Sequence, residues 1–150
     1  MTYRAEVVGS LLRPTYLAEA REKLAAGQLN AAEFKAIEDR AVNEAIALQE
    51  NVGIDVITDG EMRRYAFYGH LIDALDGFDK YGGWAIPFRD EAGEQLILKR
   101  PVVVEKLQWR RSMCAEEWVY LRARTSHPAK VTMISAQQAA AYYDLSLIHI

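Results

Sequence analysis

The sequence predicts an α/β fold built on parallel strands: the N-terminal part of a TIM (β/α)8 barrel, carrying an irregular, hairpin-like insertion. Three observations point there. Two polar motifs, Val8-Gly9-Ser10 and Asp55-Val56-Ile57-Thr58-Asp59-Gly60-Glu61-Met62-Arg63, each follow or contain an apolar, strand-like run. Two amphipathic helical stretches separate them, and a strand-helix-strand crossover of this length implies parallel, right-handed pairing. Both motifs then lie at the carboxyl ends of their strands, where α/β barrels place their chemistry.

Taken in order, Ala5-Glu6-Val7-Val8 is a short strand ending at Gly9-Ser10, and Pro14 suits a first helical position. Leu17, Ala20, Leu24 and Ala25 fall on one helical face, and Gly27 provides the stop. Asn30 with Glu33 three residues on is a capping-box signature, and Phe34, Ile37, Ala41, Ala45 and Leu48 continue a core-facing stripe to Gly53. Ile54-Asp55-Val56-Ile57-Thr58 changes the period to a short β-branched run, predicted as a strand buried on both faces. Tyr65 to Leu75 reads as helix. From Gly77 to Trp109 the pattern is broken by Gly82-Gly83, Pro87, Gly93 and Pro101, which predicts an inserted hairpin or lid. Met113 to Arg124 returns to helix, Lys130-Val131-Thr132-Met133-Ile134-Ser135 is a third barrel strand, and Ala136 to Tyr143 opens another helix.

About half of the 150 residues are apolar, 26% are charged and the net charge is -3, the balance of an ordinary soluble globular protein without a nucleic-acid footprint. A complete eight-stranded barrel uses about 250 residues, so this length accounts for part of one. The final Leu145-Ser146-Leu147-Ile148-His149-Ile150 differs from the rest and reads as an adapter-derived tail. The expected organisation is thus residues 1–144 as a partial barrel domain and 145–150 as a non-native extension. The single cysteine, Cys114, excludes an internal disulfide and makes no metal site by itself. With no signal peptide and no bilayer-length apolar run, a cytoplasmic protein is expected.

A resemblance rests on the ordered set Val8-Gly9-Ser10, Gly27, the Asn30-to-Gly53 helix with Gln49-Glu50, and Gly53-Ile54-Asp55-Val56 to Asp59-Gly60-Glu61 followed by Arg63-Arg64. Together these residues resemble the start of the catalytic barrel of cobalamin-independent methionine synthase and its single-barrel relatives. The likeness is good from Glu6 to Gly77, weak through the insertion, and returns at Lys130 to Ser135. It implies an S-methyltransferase that moves a methyl group to the thiol of homocysteine, as in methionine biosynthesis, with a zinc ion binding the thiol. The physics is direct: a free thiol is mostly protonated near neutral pH, and zinc favours the thiolate and holds it for attack.

By the resemblance, Glu61 and the Gly9-Ser10 turn match the positions that orient the amino acid, the carboxylate for the ammonium and the turn for the substrate carboxylate. Asp59 is a secondary substrate-binding candidate, with capping or bracing of the loop as its other role. Gly9 and Ser10 have the ordinary alternative of a strand-to-loop turn, and Glu61 that of a loop carboxylate paired with Arg63 or Arg64. Arg63 and Arg64 meet an anionic substrate or donor, or, as most loop arginines do, are solvated or hold neighbouring carboxylates. His70 and His127 lack converging donors for zinc, and His149 lies in the tail. Trp84, Trp109, Trp118 and Tyr142-Tyr143 read as core or lid packing rather than a cofactor platform.

The family's zinc ligands, a His and Cys close together, an acidic residue and a later Cys, fall beyond this sequence, so no metal or catalytic residue is assigned within it. The chain begins almost on the catalytic-barrel motif, like the single-barrel branch, which leaves the methyl donor open between folate and corrinoid. Two other readings stand beside homocysteine methylation. One is another zinc-dependent alkyl transfer to a thiol; the other is a metal-free binding or non-functional fragment. Under each reading the 150-residue fragment is expected to be inactive in isolation, the activity belonging to the intact parent. Uroporphyrinogen decarboxylase, a more distant relative, fits less well because its chemistry needs no zinc and must neutralise several substrate carboxylates. The expected partner is a small thiol such as homocysteine, with neither nucleic acid nor membrane.

Overall fold

The computed structural model describes residues 4–89, 93 and 95–143; the predicted tail 145–150 lies outside them. The chain is mixed α/β and divides into two compact units, one of residues 4–67 with Cys114–Thr132, the other of Tyr68–Met113 with residues 133–143.

The first unit is organised by two helices, α1 (Thr15–Ala25) and α2 (Ala31–Asn51), joined through Gly27 at φ 69°. Pro14 is the N-cap of α1 rather than its first helical residue. The capping box forms as the sequence predicts: the Asn30 side chain accepts from the backbone N–H groups of Ala32 (2.9 Å) and Glu33 (3.0 Å), and Glu33 Oε2 accepts from Asn30 N–H (2.8 Å). Leu17, Ala20, Phe34, Ala41, Val42, Ala45, Ile46, Ile57, Met62 and Leu121 make the core. The predicted stripe needs two corrections, because Ala25 and Leu48 are exposed. The inward face of α2 advances in steps of four, from Ala41 to Ala45 to Gln49 and from Val42 to Ile46, which carries position 48 round to solvent.

The first two predicted strands meet in parallel through one bridge, Glu6 with Val56, and a second parallel bridge joins Ile57 to Ala129, one residue before the predicted third strand; residues 130–135 form no strand, because only Lys130 N–H, donating to Ile57 O (3.0 Å), carries the pairing onward. The Ile54–Thr58 run lies between the other two, with Asp55 N–H donating to Ala5 O (2.9 Å) and Ile57 N–H to Pro128 O (2.8 Å). Parallel order is as expected, but regular ladders do not extend along these runs. Nor is the middle run buried on both faces: Ile57 and Thr58 are buried, whereas Asp55 is exposed and its carboxylate accepts from Ala5 N–H (2.6 Å). Helix α4 (Ala115–Arg122) completes the unit.

In the second unit, α3 (Gly69–Ala74) is shorter than the predicted Tyr65–Leu75 helix. Leu75 is taken instead by β1 (Leu75–Asp79), which pairs antiparallel with β4 (Val102–Trp109), Leu75 opposite Trp109. Within that ribbon, β2 (Ala85–Arg89) pairs with β3 (Gln95–Lys99), Pro87 opposite Ile97. The irregular stretch is therefore a nested pair of antiparallel ribbons, the predicted hairpin. Tyr142 packs edge-on against Tyr68 (5.6 Å) and Phe78 (6.2 Å). The last predicted helix is a single turn, α5 (Ala136–Ala139), continued as 3-10 to Tyr142 and capped by Ser135, whose Oγ accepts from Gln138 N–H (3.1 Å). Among the described residues no helix is long and apolar enough to cross a membrane.

Candidate functional site

The site grows from the loop that ends the middle strand run. Thr58 Oγ1 accepts from Gly60 N–H (3.1 Å) and Asp59 Oδ1 from Glu61 N–H (3.0 Å), two short-range turns that reverse the backbone. They set Gly60 at φ 67° and Glu61 at φ 55°, the latter a costly conformation for a residue with a Cβ. Neighbours hold it in place. Gln49 uses its amide as a strand edge would: Nε2 donates to Thr58 O (2.8 Å) and Oε1 accepts from Thr58 N–H (3.0 Å). Leu11 N–H donates to Gly60 O (3.1 Å), and Arg13 Nη2 to Glu61 O (3.3 Å).

This backbone turns the Glu61 side chain inward, where it is 4% exposed. Its Oε2 accepts from Ser10 Oγ and its Oε1 from Thr132 Oγ1. Gly9 makes room for it: a Cβ there would stand 2.7 Å from Glu61 Oε1 and 2.7 Å from Thr132 Cγ2. Gly9 O also accepts from Thr58 Oγ1 (3.2 Å). Three sequence candidates, Gly9, Ser10 and Glu61, thus come together. The fourth, Asp59, braces the loop through Oδ1, while its buried Oδ2 has no hydrogen-bond partner among the described residues.

Arg64 lies behind Glu61. Its Nε donates to Glu117 Oε1 (3.0 Å) and its Nη2 to Glu117 Oε2, a two-point grip that matches guanidinium to carboxylate. Its Nη1 donates to Thr132 Oγ1 (3.1 Å) and its Nη2 to Thr132 O (2.9 Å), and Nη1 stands 3.6 Å from Glu61 Oε1. Arg64 therefore holds carboxylates, one of the roles the sequence left open, and is buried rather than solvated. Arg63 does likewise, pairing with Asp39 and, at 3.7 Å, Glu38. Thr132 and Glu117 carried no signal of their own; the one hint was Thr132's place in the predicted third strand.

Three carboxylates, Asp59, Glu61 and Glu117, surround the Arg64 guanidinium in this buried cluster, and the Arg13 guanidinium reaches the Glu61 carbonyl. Burial, reinforced by Glu117's charge, pushes the Asp59 carboxyl above its ordinary range. Burial opposes the charge on Arg64, yet Glu117's hydrogen bonds and charge outweigh it and hold the guanidinium above its ordinary value. Cys114 Sγ lies 3.7 Å from Arg64 Nη2, and burial, with Glu117's charge, pushes its thiol up to about 11. The surplus of acid suits a cationic group at Glu61.

The described residues do not fit a zinc ion: no group of three or more His, Cys, Asp or Glu side chains among them converges to hold a metal. His70 Nε2 accepts from Ile134 N–H (3.2 Å), and His127 lies beside Glu50 (3.3 Å), a pairing with a single carboxylate.

Residues 4–141 match the family model described as the cobalamin-independent synthase catalytic domain. The uncharacterized protein YxjH of Bacillus subtilis is 39% identical over 79 residues, 53% of this chain and 21% of that protein. The 5-methyltetrahydropteroyltriglutamate–homocysteine methyltransferase of Candida albicans is 27% identical over 124 residues, 82% of this chain and 16% of that protein. A crystal structure from Listeria monocytogenes, assigned as a vitamin-B12-independent methionine synthase, superposes with a TM-score of 0.69 at 27% identity, covering 95% of this chain and 39% of that one. The chain thus spans between 16% and 21% of the length of these two curated relatives. The match along residues 4–141 makes this chain a member of the cobalamin-independent synthase family, within its catalytic domain.

Proposed function

We propose that this chain is the front part of a (β/α)8 barrel whose parent transfers a methyl group to the thiol of homocysteine. The carrying observation is Glu61, an inward carboxylate fixed by Ser10 and Thr132 at the end of a parallel strand run, in a cluster with more acid than base. Family membership and the name of the Candida relative support the acceptor. Glu61 binds the amino acid's ammonium by charge and hydrogen bonds, and the Gly9-Ser10 turn lies where the substrate carboxylate is held. Asp59 serves this site by fixing the Glu61 backbone.

In this reading zinc belongs to the parent, held by ligands that the family resemblance puts downstream of this chain. The donor is a methylated folate or a corrinoid. Residues 145–150 are a non-native tail on a barrel fragment of residues 1–144. The open positions of Val8, 93% exposed, and Leu12, 96% exposed, fit a barrel whose remaining units cover them. Long-read sequencing of the source locus past the Asp144 codon tests this. Further βα units with a His-x-Cys pair and a distal Cys are the expected result. Continuation without those ligands points to a metal-free relative, and a genuine stop after Ile150 overturns the fragment reading.

A further inference from the structure

We propose that Thr132 is a positioning residue for Glu61, its hydroxyl aimed by Arg64 in a one-way chain from Glu117 through Arg64 and Thr132 to the Glu61 carboxylate. The direction follows from chemistry. A guanidinium has donors and no acceptor, so the 3.1 Å contact between Arg64 Nη1 and Thr132 Oγ1 makes the threonine oxygen the acceptor. A hydroxyl has one proton, and Thr132 gives it to Glu61 Oε1. Arg64 in turn cannot swing, because Glu117 grips it at two points and Thr132 O takes a further hydrogen bond from Nη2 at 2.9 Å.

Two features make this a device rather than a chance contact. Arg64, buried to 2% exposure, pairs with Glu61 Oε1 by charge at 3.6 Å, beyond hydrogen-bond reach, so the directional part of its hold on Glu61, the hydrogen bond, runs through the threonine. Thr132 also anchors the third strand run against the middle loop, because the same residue takes Arg64 on both its carbonyl and its hydroxyl. With Ser10 on Oε2 and Thr132 on Oε1, both oxygens of Glu61 are fixed in place and the carboxylate plane is set before any ligand arrives. The inference rests on the proposed function only for what Glu61 then binds.

The test uses the whole chain with 13C in the glutamate side-chain carboxyls, the Glu61 resonance being the one that disappears in E61Q. T132V keeps the side chain's shape without the hydroxyl, and T132S keeps the hydroxyl. The expected result is that T132V moves the Glu61 resonance, T132S leaves it near its original position, and R64M moves it further in the unsubstituted chain than in the T132V background, where only the direct ion pair at 3.6 Å remains to be lost. That non-additivity is the signature of a shared chain. A Glu61 resonance unmoved by T132V, displaced equally by T132S, or shifted by R64M equally in both backgrounds would overturn the inference. The T132V and T132S pair decides the matter even where R64M does not fold. No ligand is needed, so this outcome is separate from whether the site takes homocysteine.

Discussion

Each of the two units of this chain is fastened internally by its own means. In the first, side chains far apart in sequence fasten one another: Ser10 and Thr132 to Glu61, Glu117 to Arg64, Gln49 to Thr58. In the ribbon unit, backbone ladders do the fastening, and apolar side chains such as Trp84, Phe88 and Ile97 stand at least half exposed. The first arrangement makes single atoms expensive to change, because removing one partner strands another in a buried place. The second makes most side chains cheap, because the ladder survives their loss.

The sharpest break in that comparison is R64M. It leaves Glu117, 8% exposed, without its counter-charge, and a loss of about 3–5 kcal/mol in urea unfolding is expected. A loss within ordinary surface scatter would show that the polar cluster contributes no more than the ribbons. G9A comes next, with about 1–3 kcal/mol lost to overpacking, since its Cβ meets Glu61 and Thr132 at 2.7 Å. Thermal unfolding reads this directly, and an unchanged midpoint would mean the loop yields without cost.

Asp59 gives a smaller effect with a defined sign. Burial raises its folded pKa, so the folded chain retains a proton that the unfolded chain has released. The stability this group contributes is complete below the unfolded value and falls as pH rises through the folded one. D59N removes that decline, so its stability relative to the unmodified chain should improve from pH 4 towards neutrality; parallel pH profiles would contradict the shift. The smallest effect belongs to the ribbons: I97T, at a position 63% exposed, should change stability by no more than about 0.5 kcal/mol.

What could be read from the sequence was local. Asn30 and Glu33 are three residues apart and cap one another, so their box was visible in the text of the chain. Gly9, Ser10, Asp59 and Glu61 follow strand-like runs, a position that periodicity and punctuation mark, but it was the family resemblance, not the pattern, that set Gly9, Ser10 and Glu61 apart from ordinary turn residues. Thr132 and Glu117 were hidden because their partner, Arg64, is 68 and 53 residues away, and nothing in a threonine or a first-turn glutamate announces such a contact. The helix predicted from Tyr65 lost both ends to neighbours: the tight turn in which Arg64 N–H donates to Glu61 O (3.1 Å) precedes it, and pairing of Leu75 with Trp109 closes it. The strand runs showed the right parallel order but little ladder, since pattern reports strand preference and not the partners that extend pairing.

The central claim is that Glu61 receives the ammonium of a thiol amino acid. Calorimetric titration of L-homocysteine into the longer parent proposed above, compared with its E61Q variant, tests it most directly. The account predicts a loss of affinity of about 30-fold or more, the range for removing one partner of a buried charge pair. Equal affinity in the two proteins would take Glu61 out of the binding site.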